Sequence, residues 1–208
     1  MRSIYVCWVD KFIGIYYRSG MENTALELLP EDVLKEIYLL EEHAKRLEMR
    51  EKAQDQFMPY AHHVYDNFIE GTHHRVIAEK LEKIARGELK RLIVNMPPRH
   101  SKSEFASYLM PSWFLGRNPK LKIIQATMNT ELAVRFGRKV RDLIADPKYR
   151  EVFPDTDLKP DSQAAGRWET SAGGEYFAAG VGAAMTGRGA DLLIIDDPHS
   201  EQDALSTT

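Results

Sequence analysis

The chain has 208 residues, of which 43% are hydrophobic and 28% are charged, a composition and length that allow one sizeable globular core. Its single cysteine, Cys7, excludes an internal disulfide, and no apolar run reaches the length that spans a membrane. The net charge of −3 conceals a basic middle: residues 86–150 hold 14 basic and 5 acidic side chains, whereas the segments on either side are acidic. Such a basic segment suits contacts with phosphate, from a nucleotide or from nucleic acid.

Two segments precede the part of the chain in which we expect the chemistry. Residues 1–20 are apolar and aromatic with scattered charges, and we interpret them as an uncertain N-terminal extension, with Met21 as an alternative start. Residues 21–86 are interpreted as a helical lead-in segment. Within it, Pro30 is typical of a helix start and predicts a long helix to about Gln56. The apolar spacing predicts a second helix from Thr72 to Ile84.

The first functional motif lies between Arg91 and Ser103. The apolar run Leu92–Val94 predicts a buried strand, and the periodicity of Phe105–Leu115 predicts a helix. Strand, loop, Lys-Ser and helix is the order of a phosphate-binding loop, in which backbone amides and the lysine ammonium bind phosphates and the serine hydroxyl ligates magnesium. The residues expected to bind a nucleotide here are Pro98, Arg99, His100, Ser101, Lys102 and Ser103.

This loop departs from the phosphate-binding pattern GxxxxGK[ST], because the two glycine positions fall on Met96 and Ser101. Ser101 is small enough for a close approach of the backbone, but it tolerates a positive φ poorly. Pro97 and Pro98 stiffen the loop and remove two amide donors. Taken alone, the stretch also fits an ordinary connection between a strand and a helix, with a solvent-exposed lysine.

The second functional motif is an apolar run that ends in two carboxylates, from Asp191 to Pro198. Such a run predicts a parallel strand covered on both faces, and ligands of open α/β sheets bind at the carboxyl ends of strands. Asp196 is then expected to hold Mg²⁺, directly or through water, and Asp197 to orient or deprotonate an attacking water. Glu201 is the reserve candidate for the second role. The alternative is a simple turn after a strand.

The two motifs together resemble the ATPase domain of the large terminase subunit, the DNA-packaging motor protein of tailed bacteriophages. The resemblance runs from about residue 55 to the end of the chain. Its most specific pieces are MPPRHSKSE, ATMNTELAVRFGRKVRDLI and AAMTGRGADLLIIDDP, with Thr72-His73-His74-Arg75 ahead of them. Members of this family commonly have glycine where Ser101 stands.

The resemblance implies an α/β fold in which residues 87–208 form a P-loop NTPase core, with a mostly parallel sheet sandwiched by helices. It implies that the chain is a fragment, without the remaining strands, the coupling motif and the nuclease domain of the family. Arg188 would be an arginine finger given to the adjacent subunit, although a structural pair with Asp191 is the alternative. Lys102 would hold the phosphates during catalysis.

The resemblance also implies cofactors and partners. ATP and Mg²⁺ would be bound, and ATP would be hydrolysed in a homo-oligomeric ring that drives double-stranded DNA into a procapsid. Portal protein and the small terminase subunit would be the protein partners, in the host cell cytoplasm and without a membrane. Two other classes remain compatible with the motifs: another nucleic-acid-dependent P-loop ATPase, such as a helicase, and a non-catalytic interaction module.

The sequence between and around the motifs leaves further alternatives open. Gln56, within an aromatic cluster, is a candidate for contacting adenine, while the aromatic side chains could instead pack on the core. Adjacent histidines, as in His73-His74, point about 100° apart on a helix and rarely share one metal ion.

A strand is predicted over Leu121–Thr127, followed by a helix that Asn129 or Thr130 caps. This helix carries a basic face, which could contact solvent, DNA or a neighbouring subunit. A loop is predicted over residues 151–166 and two short strands within Arg167–Ala179.

Overall fold

A computed structural model of the chain describes residues 30–183, 185 and 187–199. The expected N-terminal extension at residues 1–20, the alternative start Met21 and the reserve candidate Glu201 lie outside the described residues. The chain divides into two compact units, one ending at Leu47 and the other beginning at Glu48. Within the described part of the chain, none of the helices combines the length and the apolar character needed to cross a membrane.

Apart from Pro30, the described residues of the first unit belong to helix α1 (Glu31–Asp55), whose last turns are part of the second unit. The helix begins directly after Pro30 and carries Glu31 and Asp32 in its first turn, where acidic side chains oppose the positive end of the helix dipole. The long helix predicted from Pro30 to about Gln56 is therefore confirmed.

The described residues of the second unit form five more helical segments and five strands. The helices are α2 (Phe57–Val64), α3 (Thr72–Ala85), α4 (Met110–Arg117), which continues a π-helical segment at Glu104–Leu109, α5 (Thr130–Ala145) and α6 (Pro147–Val152). The strands are β1 (Lys122–Thr127), β2 (Leu158–Ala164), β3 (Arg167–Thr170), β4 (Glu175–Gly180) and β5 (Leu192–Asp196). Asn129 caps α5, its side chain accepting a hydrogen bond from the amide of Leu132, as predicted.

The five strands form one mixed sheet in the order β2-β3-β4-β1-β5. Strands β4, β1 and β5 are parallel, whereas β3 pairs antiparallel with both β2 and β4. The expectation of a mostly parallel sheet is therefore wrong, because two of the four strand pairings are antiparallel. One of these pairings involves β2, which lies within residues 151–166, where a loop was predicted. Thr127 is in register with both Gly180 and Asp196, so three parallel strands end at the same edge of the sheet.

Helices cover only one face of this sheet among the described residues of the second unit. Helix α5 packs on the face that carries Trp168 and Tyr176, since Trp168 Nε1 donates a hydrogen bond to the Gly137 carbonyl. The opposite face of β5 exposes Leu193 and Ile195, at 56% and 58% of their surface. The predicted sandwich with helices on both faces is thus not what these residues form, and β5 is apolar on a face that the described residues leave accessible.

The segment Leu92–Val94 is not a strand of the sheet, contrary to the sequence prediction, and β5 is the edge strand on that side. Leu92 and Val94 pack against the core, while Ile93 between them is 86% exposed. This alternation is that of an extended chain with one inward face. A strand also needs a hydrogen-bonded partner, which no local sequence pattern can specify.

Aromatic packing holds the helix after the loop in place. Phe57 is fully buried and contacts Phe105 and Trp113 edge to face, with ring centroids 5.3 and 5.4 Å apart. Trp113 Nε1 in turn donates a hydrogen bond to the carbonyl of Ala53, at the end of α1. The prediction that the aromatic residues near Gln56 pack on the core is confirmed. Burial of such a cluster is worth several kcal/mol, about 3 kcal/mol for one large aromatic side chain.

Candidate functional site

Residues 97–101 connect the extended segment at residues 92–94 to the helical residues that begin at Lys102 and lead into α4. We refer to this connection as the proline loop. Arg99 and Ser101 both have left-handed backbone, with φ of 63° and 62°. The amide of Phe105 donates to the Ser101 carbonyl at 2.9 Å, so the helix begins directly after the loop. The amides of its first turn have no acceptor within a helix, and they leave partial positive charge at this end.

Lys102, the residue that follows the proline loop, contacts both aspartates at the end of β5. Its Nζ lies 2.6 Å from Oδ1 of Asp197 and 3.9 Å from Oδ1 of Asp196. The lysine side chain is 27% exposed and that of Asp197 is 63% exposed, so the ion pair lies at the surface. The two sequence motifs therefore meet at the carboxyl edge of the parallel strands, where ligands of α/β sheets bind.

Asp197 adopts a left-handed conformation with φ of 44°. Its carbonyl accepts a hydrogen bond from the amide of Met128 at 3.1 Å, which ties the turn after β5 to the turn after β1. Arg99, Ser101 and Asp197 account for three of the four non-glycine residues with positive φ among the described residues. Strained backbone of this kind concentrates at functional sites, because the surrounding structure must hold it in place.

Asp196 is buried, with 7% of its surface exposed, and its two oxygens face different partners. Oδ2 accepts a hydrogen bond from the hydroxyl of Ser107 at 2.8 Å, whereas Oδ1 faces Lys102. Sequence reasoning missed Ser107. The signal that could have found it is a polar residue in the middle of an apolar helix, four residues after Ser103.

The other loop residues occupy different environments. Nδ1 of His100 donates to the Pro98 carbonyl at 2.9 Å, which braces the loop from within. Ser103 is half-buried, and its side chain makes no hydrogen bond within the described part of the chain. Glu104 is bound by Lys139 of α5 at 2.9 Å, so one residue of the predicted basic face neutralises a carboxylate beside the site.

Gln56 is exposed at the N-terminal cap of α2, and among residues 30–183, 185 and 187–199 its side chain makes no hydrogen bond. The structure does not bring Gln56 into contact with Lys102 or with either aspartate of the site. It places the neighbouring aromatic side chains in the core instead.

Arg188 lies away from this site within the chain. Its Nη1 is 3.0 Å from Oε1 of Glu175, and its guanidinium stacks 4.0 Å from the ring centroid of Phe177. Glu175 is the first residue of β4, so this contact is at the opposite end of the strand from the carboxyl edge. The expected alternative partner, Asp191, accepts a hydrogen bond from the Lys122 amide instead.

Two histidines of α3 pack beside the proline loop. The ring of His73 lies 3.9 Å from that of His74 and 5.7 Å from that of His100, measured between centroids. His74 is buried, and its Nδ1 accepts a hydrogen bond from the Gly71 amide at 2.8 Å. Burial, together with the neighbouring His73, lowers the pKa of His74 below its ordinary value of 6.5. The imidazole is therefore held neutral at neutral pH.

Comparisons with protein-family models, with curated proteins and with solved structures return no match to this chain. In the described residues no group of three or more histidine, cysteine, aspartate and glutamate side chains could hold a metal ion. Function is therefore inferred from the geometry at the carboxyl edge and from the sequence motifs that meet there.

Proposed function

We propose that this chain binds ATP with Mg²⁺ at the carboxyl edge of its sheet and hydrolyses it, as the ATPase part of a terminase-like motor that moves double-stranded DNA. One observation carries the proposal: Lys102, at the start of a helix, contacts both Asp196 and Asp197 at the end of β5. A cation, free amides and carboxylates at one edge are the parts that a phosphate-binding loop and its magnesium-binding strand supply.

Each side chain has a role in this proposal. The Lys102 ammonium and the amides of the first helical turn hold the phosphates, and Asp197 positions the attacking water. Arg188, given by a neighbouring subunit, stabilises the charge that develops on the transferred phosphoryl group. Aspartate is one methylene shorter than the glutamate usual in related motors, which favours a longer water bridge.

The oxygen atoms of the site fit Mg²⁺. This ion is usually held by one or two protein ligands together with phosphates and water, at near-octahedral geometry. Asp196 has one oxygen, Oδ1, that accepts no hydrogen bond within the described residues, and the Ser103 hydroxyl has no partner there either. These two residues would hold the ion. When bound, Mg²⁺ neutralises charge on the phosphates.

Asp197 competes with phosphate for the Lys102 ammonium, because their charged atoms are already in hydrogen-bond contact. A surface ion pair of this kind contributes about 1 kcal/mol or less, which the binding of a triphosphate readily offsets. The direct contact also supports a second candidate, a non-catalytic interaction module in which Asp197 permanently neutralises Lys102.

Translocation of DNA by a ring of subunits is supported by the resemblance of the motifs and by the basic middle of the chain. Arg135 and Arg138 of α5 are exposed and have no acidic partner among the described residues. They could bind the phosphates of a duplex. A helicase-like ATPase would use the same ATP site, and stimulation of hydrolysis by double-stranded rather than single-stranded DNA distinguishes the two.

Calorimetric titration of ATP with Mg²⁺ into the wild type and into Lys102→Ala tests the proposed site. We expect micromolar affinity in the wild type and a loss of at least about tenfold in the variant, as removal of a phosphate-bound charge implies. Lys120→Ala is the matched control, because Lys120 is exposed just before β1, at the other edge of the sheet. Equal affinity of the wild type and Lys102→Ala would rule out the site.

A further inference from the structure

Ser107 is a buried polar residue that has no assigned role in the proposed reaction. It is completely buried in the π-helical segment, and its hydroxyl donates to Oδ2 of Asp196 at 2.8 Å, across 89 positions of the chain. Asp196 is itself buried, so both ends of this hydrogen bond are shielded from water. Hydrogen bonds to a charged acceptor in such surroundings are among the stronger ones in proteins.

The local helix geometry explains how Ser107 reaches the strand. Pro111, four residues later, has no amide hydrogen to donate to the Ser107 carbonyl, and its ring would clash with that carbonyl in a regular α-helix. The turn is wider here: the amide of Met110 bonds to the Phe105 carbonyl, five residues back. An extra residue in the turn changes which side chains face the sheet. The π-helical segment contacts β5 directly, and Ser107 forms the polar part of that contact.

The hydrogen bond distinguishes the two oxygens of Asp196. Ser107 holds Oδ2 from the core side, which leaves Oδ1 on the side of Lys102, 3.9 Å from its Nζ. A carboxylate held at one oxygen loses freedom to rotate, and the other oxygen then keeps a fixed direction. Groups that orient a metal ligand in this way typically change metal affinity by about tenfold or more when removed.

We propose that Ser107 is a positioning residue, which orients Asp196 so that Oδ1 is presented to the Mg²⁺ of a bound nucleotide. This inference rests on the proposed function, since it concerns the same ion. It adds a residue of the helix interior that the phosphate-binding pattern does not contain, and it gives the π-helical turn a function. Ser107 acts in this proposal only through its hydrogen bond to Asp196.

A matched pair of serines on the same helix separates positioning from simple support of the fold. Ser112 is also fully buried, and its hydroxyl bonds to the Leu109 carbonyl at 2.8 Å and to the Tyr60 hydroxyl at 2.6 Å. It makes no contact with Asp196. Ser107→Ala and Ser112→Ala thus remove the same atom from the same buried helix, and both are expected to lower stability.

The test measures the binding of a fluorescent ATP analogue to the full chain, first with EDTA and then with increasing MgCl₂. We expect Ser107→Ala to raise the Mg²⁺ concentration at half-effect by about tenfold, with binding in EDTA changed less than twofold. Ser112→Ala should leave both quantities within about twofold of the wild type, and Ser107→Thr, which keeps the hydroxyl, should restore most of the Mg²⁺ response.

The outcomes are distinct. If Ser107→Ala and Ser112→Ala shift the Mg²⁺ response equally, or if Ser107→Thr behaves like Ser107→Ala, the positioning role is overturned while the nucleotide site stands. If the wild type shows no Mg²⁺-dependent binding of the analogue, the proposed function itself fails and this inference fails with it. Thermal unfolding is measured for each variant, and the binding assays are run at a temperature at which all of the variants are folded.

Discussion

The ammonium of Lys102 lies 2.6 Å from a carboxylate oxygen of Asp197, a residue 95 positions further along the chain. The two residues come from separate motifs, and the packing of the π-helical segment against β5 brings the end of β5 close to the start of the helix. The Asp197 carboxylate thus pairs with the ammonium that the proposed function assigns to phosphate. If the proposed function holds, nucleotide phosphate and the Asp197 carboxylate compete for one cation.

The first prediction concerns that competition. Asp197→Asn removes the charge that neutralises Lys102 with little change of shape, so ATP affinity should rise by about three- to tenfold while hydrolysis falls. Calorimetry gives the affinity and phosphate release gives the rate. Asp155→Asn, at an exposed aspartate without an ion pair among the described residues, should change neither. Weaker ATP binding by Asp197→Asn would contradict the competition.

A second prediction concerns the left-handed backbone of Ser101. A residue with a Cβ in this region is strained by roughly 1–2 kcal/mol, and glycine relieves the strain while gaining some freedom in the unfolded chain. Ser101→Gly should therefore raise the free energy of unfolding by about 0.5–1 kcal/mol, measured by urea denaturation. Ser103→Gly is the control, since φ of Ser103 is −69° and glycine there should lower stability. Equal losses for the two variants would exclude strain at Ser101.

The third prediction is a pH dependence of stability that arises from His74. Its pKa is lowered in the folded protein, mainly by burial and then by His73, with His100 adding to the shift and Glu70 opposing it. The unfolded chain then binds more protons below pH 6.5, so this contribution to stability is present above pH 6.5 and is lost as the pH falls through the folded-state pKa. Protonation of Nδ1 would also break its bond with the Gly71 amide.

Urea denaturation at pH 7.5 and 5.5 checks this dependence in the wild type and in His74→Gln. The variant should lose less stability on acidification than the wild type, because its amide does not titrate in this range. His43→Gln, at an exposed histidine of α1, should keep the dependence of the wild type. A pH response unchanged by His74→Gln would assign the effect to other groups.

The fourth prediction tests whether Arg188 acts on a neighbouring subunit. Lys102→Ala and Arg188→Ala should each be inactive alone, but in the proposed ring one subunit would supply the arginine and its neighbour the lysine. A mixture of the two variants should thus hydrolyse ATP faster than the sum of the separate proteins. Arg167→Ala is a matched control, because Arg167 binds the same oxygen of Glu175, at 2.9 Å, and should keep activity. A strictly additive mixture would leave Arg188 with its structural role beside Phe177.

Several elements followed from the sequence because their causes are local. Helix α1 begins at a proline, α5 begins at an asparagine that can accept a hydrogen bond from an amide, and β5 is an apolar run. Two short strands were expected within Arg167–Ala179, and β3 and β4 are found there, on either side of Gly173-Gly174. Capping, periodicity and turn chemistry act over a few residues, so a sequence pattern suffices to predict them.

Other features were predicted wrongly or missed because they depend on partners far along the chain. Leu92–Val94 has the composition of a strand but no hydrogen-bonded neighbour in the sheet, and the polar segment at residues 158–164 is a strand because β3 pairs with it. The side chain of Ser107 contacts Asp196, 89 positions away. A local sequence pattern covers only a few residues, so it cannot predict a contact between residues so far apart.

By itself, the sequence determined which chemical groups this protein can bring to a reaction: a lysine and a serine at the start of a helix, and two aspartates at the end of an apolar strand. The tertiary structure alone decided that Lys102 meets Asp196 and Asp197, that Ser107 holds one oxygen of Asp196, and that Arg188 lies with Glu175 instead. The physical reason is that residue types and local spacing set backbone preference and charge. Which charges meet depends on the order of strands in the sheet and on which face a helix buries.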